Sequence, residues 1–188
     1  MILYRVLPVD RRAAVEDPGG PLWWPRVLQG AGRHDNPDLY GCMYVSETPV
    51  SAVAEVLAPF RGTGELVPEM LVRGGRSLAL VAIVLDGGDD ALLDLDDGSV
   101  LAREDLRPSQ VATRNRPRTQ GWSGNLYEQH PQALGLRWWS TVEASWINVT
   151  LFDRAGPALS VAKVSTLRTG DDVVAEAAAF LGLGADRP

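Results

Sequence analysis

A charged side chain inside an apolar segment is the first feature of this chain that could take part in chemistry. Arg5 interrupts the run from Ile2 to Leu7, which has the length and residue types of a β-strand. A charge in such a strand is costly to bury unless another group pairs with it. The partner could be a carboxylate such as that of Glu55, or the phosphate or ribose oxygens of a ligand. The planar fork of arginine suits both kinds of oxygen.

Residues 30–57 form a second stretch with side chains of this kind, and they predict a loop, a strand and a helix in that order. Glycines and a cluster of turn residues precede a short strand from Tyr40 to Ser46. Thr48 and Pro49 then predict a helix start. A threonine hydroxyl can accept from an unpaired backbone N–H, and proline suits the first helical position.

Three polar side chains of this stretch, Arg33, Tyr44 and Glu55, have ordinary explanations when each is taken alone. An arginine in a turn is usually exposed, a tyrosine in a strand usually packs, and a glutamate on a helix flank is usually solvated. The apolar face of the predicted helix consists of Val50, Val53, Ala54 and Leu57. Glu55 lies well off that face, so the local pattern assigns it no packing role.

Taken in order along the chain, these segments resemble the motifs of the RES-domain family, which is named for an arginine, a glutamate and a serine. Leu3-Tyr4-Arg5-Val6 is similar to the family's first strand, in which the arginine follows an aromatic residue. Glu55 stands eleven positions after Tyr44, as in the family's central motif. Gly135-Leu136-Arg137-Trp138-Trp139-Ser140 is similar to the later strand that the serine closes. The resemblance covers about residues 2 to 168.

One departure from the family pattern falls in the turn that contains Arg33. The family's turn usually reads Gly-Arg-Trp-Asn-Pro, whereas this chain has Gly32-Arg33-His34-Asp35-Asn36-Pro37. The tryptophan is absent and one residue is inserted. The family role of Arg33 is therefore less directly implied than those of Arg5 and Glu55.

The resemblance implies an α+β fold with an ADP-ribosyltransferase-like core of two packed, mostly antiparallel β-sheets and short peripheral helices. The order of predicted elements favours the same class, because strands dominate and strict alternation of strands and helices is absent. We predict a single domain over residues 1–188, with its core at about 2–168. The last helix is predicted at about 172–182, ended by glycines.

The resemblance also implies an enzyme that consumes NAD and cleaves its nicotinamide–ribose bond by hydrolysis or phosphorolysis. Such proteins are commonly bacterial toxins of toxin–antitoxin pairs. Two alternatives stay open: mono-ADP-ribosyl transfer to a protein, and a non-catalytic domain that binds nucleotides or partner proteins. NAD is then the substrate, phosphate a possible second one, and no metal is expected.

Each motif residue takes a role that the resemblance implies. Cleavage of this bond passes through an oxocarbenium-like cation, as glycoside hydrolysis does. Glu55 would stabilise that cation and accept a hydrogen bond from a ribose hydroxyl. Arg5, assisted by Arg33, would grip the ribose and phosphates, and Tyr44 would offer a flat face to nicotinamide. Ser140 would orient Glu55 or a ribose hydroxyl.

Composition narrows the remaining classes of function. The net charge of −6 argues against a general nucleic-acid binder, and no apolar run is long enough to span a membrane. The N-terminus reads directly into a strand, without the pattern of a signal peptide. The single cysteine, Cys42, fits a reducing cytoplasm and is predicted to be a buried strand residue.

No helix-turn-helix segment accompanies the domain, so any antitoxin is expected to be a separate chain. A homodimer stays open.

The remaining segments carry weaker signals. Residues 77–85 predict a strong strand and 65–72 a weak one. The acidic residues between 86 and 105 lack the spacing of a calcium loop and are assigned to solvated turns around a short strand. A helix is predicted at 119–129, with Thr119 as its cap. Before it comes a basic stretch that could reach a ligand's phosphates or a partner's acidic tail, or be a solvated loop: Arg103, Arg107, Arg114, Arg116 and Arg118.

Overall fold

The computed structural model describes residues 1–184, which divide into two compact units that alternate along the chain. The first unit consists of Met1, Trp24–Tyr44 and Leu85–Leu159. The second consists of Ile2–Trp23, Val45–Val84 and the residues from Ser160 onward. Each unit is assembled from separate stretches of the chain. The prediction of one domain over residues 1–188 stays a prediction.

The elements follow one another as short strands and short helices. The strands are β1 (Ile2–Pro8), β2 (Cys42–Ser46), β3 (Val72–Arg73), β4 (Arg76–Leu85), β5 (Leu92–Asp94), β6 (Gly135–Trp139), β7 (Ile147–Phe152) and β8 (Leu159–Thr166). The helices are α1 (Pro49–Leu57), α2 (Gly98–Arg103), α3 (Pro108–Ala112), α4 (Arg116–Gln129) and α5 (Asp172–Leu181). Short 3₁₀ turns lie at Arg26–Leu28, Ala58–Phe60, Pro68–Leu71, Asp89–Ala91 and Asp153–Ala158.

The second unit is organised by the antiparallel pair of β1 and β4. Their register runs from Ile2 opposite Val84 to Pro8 opposite Leu78, so β1 is paired along its whole length. β3 and β8 also pair with β4, and α1 packs against both β1 and α5. Strand β1, which carries Arg5, and helix α1 are therefore direct neighbours in this unit.

The first unit is organised around β6, which pairs in parallel with β5 and antiparallel with β7. Its core contains the side chains of Tyr40, Trp122, Leu136 and Phe152, all buried. Cys42 is also in this core at 1% exposure, as its sequence position predicted. Burial raises the pKa of its thiol far above the ordinary value, so it stays protonated.

The α+β class predicted from the sequence is confirmed. Among the described residues, the strands of the second unit pair in the order β3-β4-β1-β2 with β8 beside β4, and those of the first unit in the order β2-β7-β6-β5. β2 contributes its first residues to the first unit and its last to the second. No described helix has both the length and the apolar character that a membrane crossing requires.

The prediction for the α4 region was wrong in its start. Thr119 is not the cap: Asn115 is, accepting from the backbone N–H of Arg118 at 3.1 Å. Pro117 lies in the first turn, where its missing N–H removes no helical hydrogen bond. The weak strand predicted at 65–72 is a 3₁₀ turn followed by β3, and the short helices α2 and α3 were not predicted.

Candidate active site

The five residues singled out by the sequence are divided between the two units. Arg5 on β1 and Glu55 on α1 belong to the second unit, whereas Arg33, Tyr44 and Ser140 belong to the first. In the second unit the packing of α1 on β1 brings the two charged residues onto neighbouring elements. In the first unit the Tyr44 hydroxyl bonds the backbone N–H of His34, the residue next to Arg33, and Ser140 directly follows β6.

Glu55 is presented by a helix whose start is encoded locally. The Thr48 hydroxyl accepts from the backbone N–H of Ser51 at 3.1 Å, and Pro49 occupies the first turn, as predicted. Val53, Ala54 and Leu57 are buried on the core side of α1. Glu55 is half-buried, so it is less exposed than an ordinary solvated glutamate on a helix flank. A half-buried carboxylate retains access to a ligand while being shielded from bulk water.

Arg5 is held by the loop that follows β1. Its Nη1 donates to the carbonyl of Trp23 at 3.1 Å and to that of Pro21 at 3.3 Å. These contacts tie a segment without regular structure to the centre of the second unit. Because the side chain bonds two carbonyls at once, its guanidinium has a defined orientation on β1.

Arg33 is a buried anchor of the first unit, at 5% exposure. Its Nη1 donates to the carbonyls of Val111 and Thr113, both at 2.7 Å. The guanidinium also lies over the ring of Trp138, 5.0 Å from its centre, which is a favourable cation–π distance. Arg33 therefore fixes the turn after α3 from inside, a structural role that sequence reasoning did not identify.

Asp35 connects Tyr44 to the glycine loop and was missed as a functional residue. Its Oδ2 accepts from the N–H groups of Gly30 at 2.8 Å and Gly32 at 2.7 Å, and its Oδ1 accepts from the Tyr44 hydroxyl at 2.7 Å. Burial by itself would raise the pKa of Asp35, but these hydrogen bonds lower it below its ordinary value. The available signal was an aspartate three residues after a glycine, which sequence reasoning assigned only to a turn.

Tyr44 is locked as a hydrogen-bond donor by the same network. Its hydroxyl also accepts from the backbone N–H of His34 at 2.8 Å. Burial and the neighbouring Cys42 and Asp35 raise its pKa far above the ordinary value, so the hydroxyl stays protonated. A Cβ on Gly32 would lie 2.6 Å from this hydroxyl, so the loop requires glycine there. The ring of Tyr44 is thus held in one orientation by its polar end.

His34 fills the place in the turn where the resembled family has tryptophan. Its side chain is fully buried, with ring centres of Trp122 and Trp138 at 4.8 and 5.2 Å. Nδ1 lies 2.8 Å from the Thr150 hydroxyl, and Nε2 has no hydrogen-bond partner in the described part of the chain. Burial, and then the charges of Arg33 and Arg116, lower the pKa of His34 well below its ordinary value. The imidazole is therefore neutral and packs as an aromatic ring.

This burial predicts a loss of stability in acid. The folded protein excludes a proton that the unfolded chain binds below the ordinary histidine pKa of about 6.5. Stability from His34 is then complete above that pH and falls as the pH is lowered, by up to about 1.4 kcal/mol per pH unit. Denaturant unfolding at about pH 7.5 and about pH 5.5 measures this slope.

His34→Gln supplies the control, because glutamine does not titrate. The variant should be less stable at neutral pH, since it leaves an aromatic site imperfectly filled. Its stability should depend less on pH than that of the wild type over the same interval. An equal slope in both proteins would show that other groups, and not His34, cause the acid sensitivity.

Ser140 forms a tight turn immediately after β6 and is 2% exposed. Its Oγ accepts from the N–H groups of Val142 at 2.9 Å and Glu143 at 3.4 Å. Its own N–H donates to the carbonyl of Trp146 at 2.7 Å. These two accepted hydrogen bonds fix the position of the Ser140 oxygen.

Comparison with known proteins identifies the class to which these features belong. Residues 2–173 match the RES domain. The chain belongs to the RES-domain family. The match includes all five positions described above, so the RES domain includes residues of both compact units. No curated protein sequence matches the chain significantly.

The RES domain of this chain is also similar in fold to a solved structure. That structure is the crystal structure of the M. tuberculosis MbcT–MbcA toxin–antitoxin complex, in which the similar chain is the toxin MbcT. The TM-score is 0.63 at 17% sequence identity, and the alignment covers 97% of this chain and 87% of that chain. At this identity the similarity establishes a shared fold.

Proposed function

We propose that this RES-domain protein is the toxin of a toxin–antitoxin pair and that it cleaves the nicotinamide–ribose bond of NAD. The observation that carries the proposal is the RES match over residues 2–173, which includes Arg5, Tyr44, Glu55 and Ser140. The fold shared with MbcT, which forms a complex with an antitoxin, supports a separate antitoxin chain as the partner.

The chemistry follows from the charges of the substrate. The bond between the ribose C1′ and the nicotinamide nitrogen breaks, and both electrons leave with nicotinamide, which loses its positive charge. Positive charge then develops on the ribose, where the carboxylate of Glu55 would stabilise it. An oxygen of water or phosphate attacks C1′. With water the products are ADP-ribose, nicotinamide and a proton, whereas with phosphate ADP-ribose carries a phosphate on C1′.

Other residues would position the substrate. Arg5 would grip the ribose and phosphate oxygens with the fork whose orientation is described above. Tyr44 would present its ring to nicotinamide, and Ser140 would donate to a ribose hydroxyl or to Glu55. Arg33 would assist indirectly by holding the turn after α3. These roles require no metal, and a reducing cytoplasm that supplies NAD is the proposed location.

One incubation tests the proposal. Purified full-length protein is mixed with NAD, with and without inorganic phosphate, and the products are separated and identified by mass. Hydrolysis predicts free nicotinamide and ADP-ribose in both mixtures. Phosphorolysis predicts nicotinamide and the phosphorylated product only in the mixture that contains phosphate. In parallel, expression of the protein without a partner should arrest growth and lower cellular NAD.

The alternatives correspond to other outcomes of the same assays. ADP-ribosyl transfer would appear as mass added to a protein in a cell extract, with little turnover of NAD alone. Normal growth, undiminished NAD and no modified protein at good expression would contradict both enzymatic functions. A domain that only binds nucleotides would then be the better explanation.

A further inference from the structure

A group of exposed arginines lies on the first unit, in the basic stretch that the proposed activity does not use. Arg107, Arg114, Arg116 and Arg118 are all exposed. Within residues 1–184, none of these four takes part in an ion pair. Exposed guanidinium groups of this kind can bind the oxygens of an anionic ligand. The whole chain has a net charge of −6, so this stretch is a local exception to its acidic composition.

Two of these arginines line one cleft, which we call the arginine cleft. It has a volume of about 580 Å³ and is lined by Asp105, Arg107, Ser109, Gln110, Thr113 and Arg118. Guanidinium, hydroxyl and amide groups are the side chains that bind carboxylate and phosphate oxygens. The lining is almost wholly polar, whereas small-molecule sites are mostly apolar and nucleotide sites offer a ring for stacking. The cleft therefore suits an extended anionic chain better than a nucleotide.

The backbone of the arginine cleft is held rigid from inside the unit. The buried Arg33 donates to the carbonyls of Val111 and Thr113 beneath it. The indole N–H of Trp122 donates to the carbonyl of Gln110 at 3.3 Å. A surface that is already ordered loses less entropy when a partner binds, so these anchors favour binding at this place.

Asp105 gives the cleft one carboxylate among its cations. Its φ is +51°, a left-handed conformation that aspartate and asparagine tolerate better than most residues. It lines the same cleft as Arg107 and Arg118 but lies beyond ion-pair distance of both. An acidic ligand is therefore repelled by Asp105 and attracted by the arginines.

We propose that the arginine cleft binds a carboxylate-rich segment of a partner protein. Identification of that partner as the antitoxin rests on the function proposed above. The binding of an acidic segment does not require that function. The absence of an exposed stacking platform in the cleft and the negative net charge both disfavour a nucleic acid as the occupant.

The test uses a fluorescein-labelled oligoglutamate peptide and full-length protein, with binding followed by fluorescence anisotropy at low salt. We expect saturable binding that weakens as salt is added. Arg107→Gln combined with Arg118→Gln should weaken the affinity by about tenfold, the size expected for two partly exposed charge contacts. Asp105→Asn should strengthen it by about threefold, because it removes the repulsion and keeps a residue that accepts the backbone conformation.

Arg12→Gln combined with Arg168→Gln is the matched control, since both residues are exposed and the net charge changes equally. Its affinity should stay within about twofold of the wild type. An equal loss in the control, no saturable binding, or no gain with Asp105→Asn would overturn the proposal. So would a labelled oligothymidylate that binds more tightly through Arg107 and Arg118. The peptide assay contains no NAD. If the protein binds the peptide but does not cleave NAD in the separate incubation, the proposed activity is refuted and the proposed binding site is not.

Discussion

Glu55→Gln should lower the rate of NAD cleavage by about a hundredfold or more while leaving NAD affinity almost unchanged. The substitution keeps the size and much of the hydrogen bonding of the side chain but removes its negative charge. That charge matters most when the ribose becomes cationic, so its loss affects the transition state more than the bound substrate. Steady-state kinetics, NAD affinity and a denaturant melt on the same protein measure the three quantities.

The position of Glu55 on α1 predicts that folding is preserved. The residues that α1 buries most fully lie on the side that includes Val53, Ala54 and Leu57, and Glu55 is only half-buried. We expect the free energy of unfolding to change by less than about 1 kcal/mol. Glu176→Gln, the same change at an exposed position of α5, is the matched control and should have wild-type kinetics.

Two other results would assign Glu55 differently. Unchanged turnover would mean that the carboxylate takes no part in the reaction, and the site assignment would be lost. A large loss of stability would mean that its carboxylate neutralises a buried cation, because an unpaired buried charge is strongly destabilising. The three outcomes can be told apart because they affect different quantities: a catalytic role lowers turnover, a structural role lowers the free energy of unfolding, and the absence of either role changes neither.

Arg5→Lys should reduce turnover although the positive charge is kept. The guanidinium of Arg5 bonds the carbonyls of Pro21 and Trp23 through one nitrogen, which gives its planar fork a defined orientation. An ammonium group cannot reproduce that fork, and misplacement of the substrate by about 1 Å can lower the rate by about a hundredfold. We therefore expect a decrease of up to that size in kcat/KM.

A second measurement separates substrate contact from loop anchoring. If the main effect is a loosened loop, limited proteolysis should cut residues 9–24 faster in Arg5→Lys than in the wild type. Arg12→Lys, at an exposed position of that loop, is the control for the substitution itself. Near-wild-type kinetics with an intact loop would show that the fork of Arg5 has no role in the reaction.

The sequence by itself determined the family and the elements that carry its motif. The pattern predicted the positions of four features that the structure contains: β1, the strand before Thr48, the capped start of α1 and the last helix. Each depends on interactions within a few residues, such as the hydrogen bond from the Ser51 N–H to Thr48. Alternation, capping and turn residues are properties of neighbouring side chains and can be recognised without a fold.

Tertiary structure alone decided the roles of the residues around Arg33. The carbonyls that Arg33 binds are 78 and 80 positions away along the chain, so no local pattern could predict its burial. The same holds for His34, which is buried against Thr150 and two distant tryptophans. α2 and α3 were missed for a related reason. They have six and five residues, and helices this short depend on packing, here through the buried Leu101 and Val111.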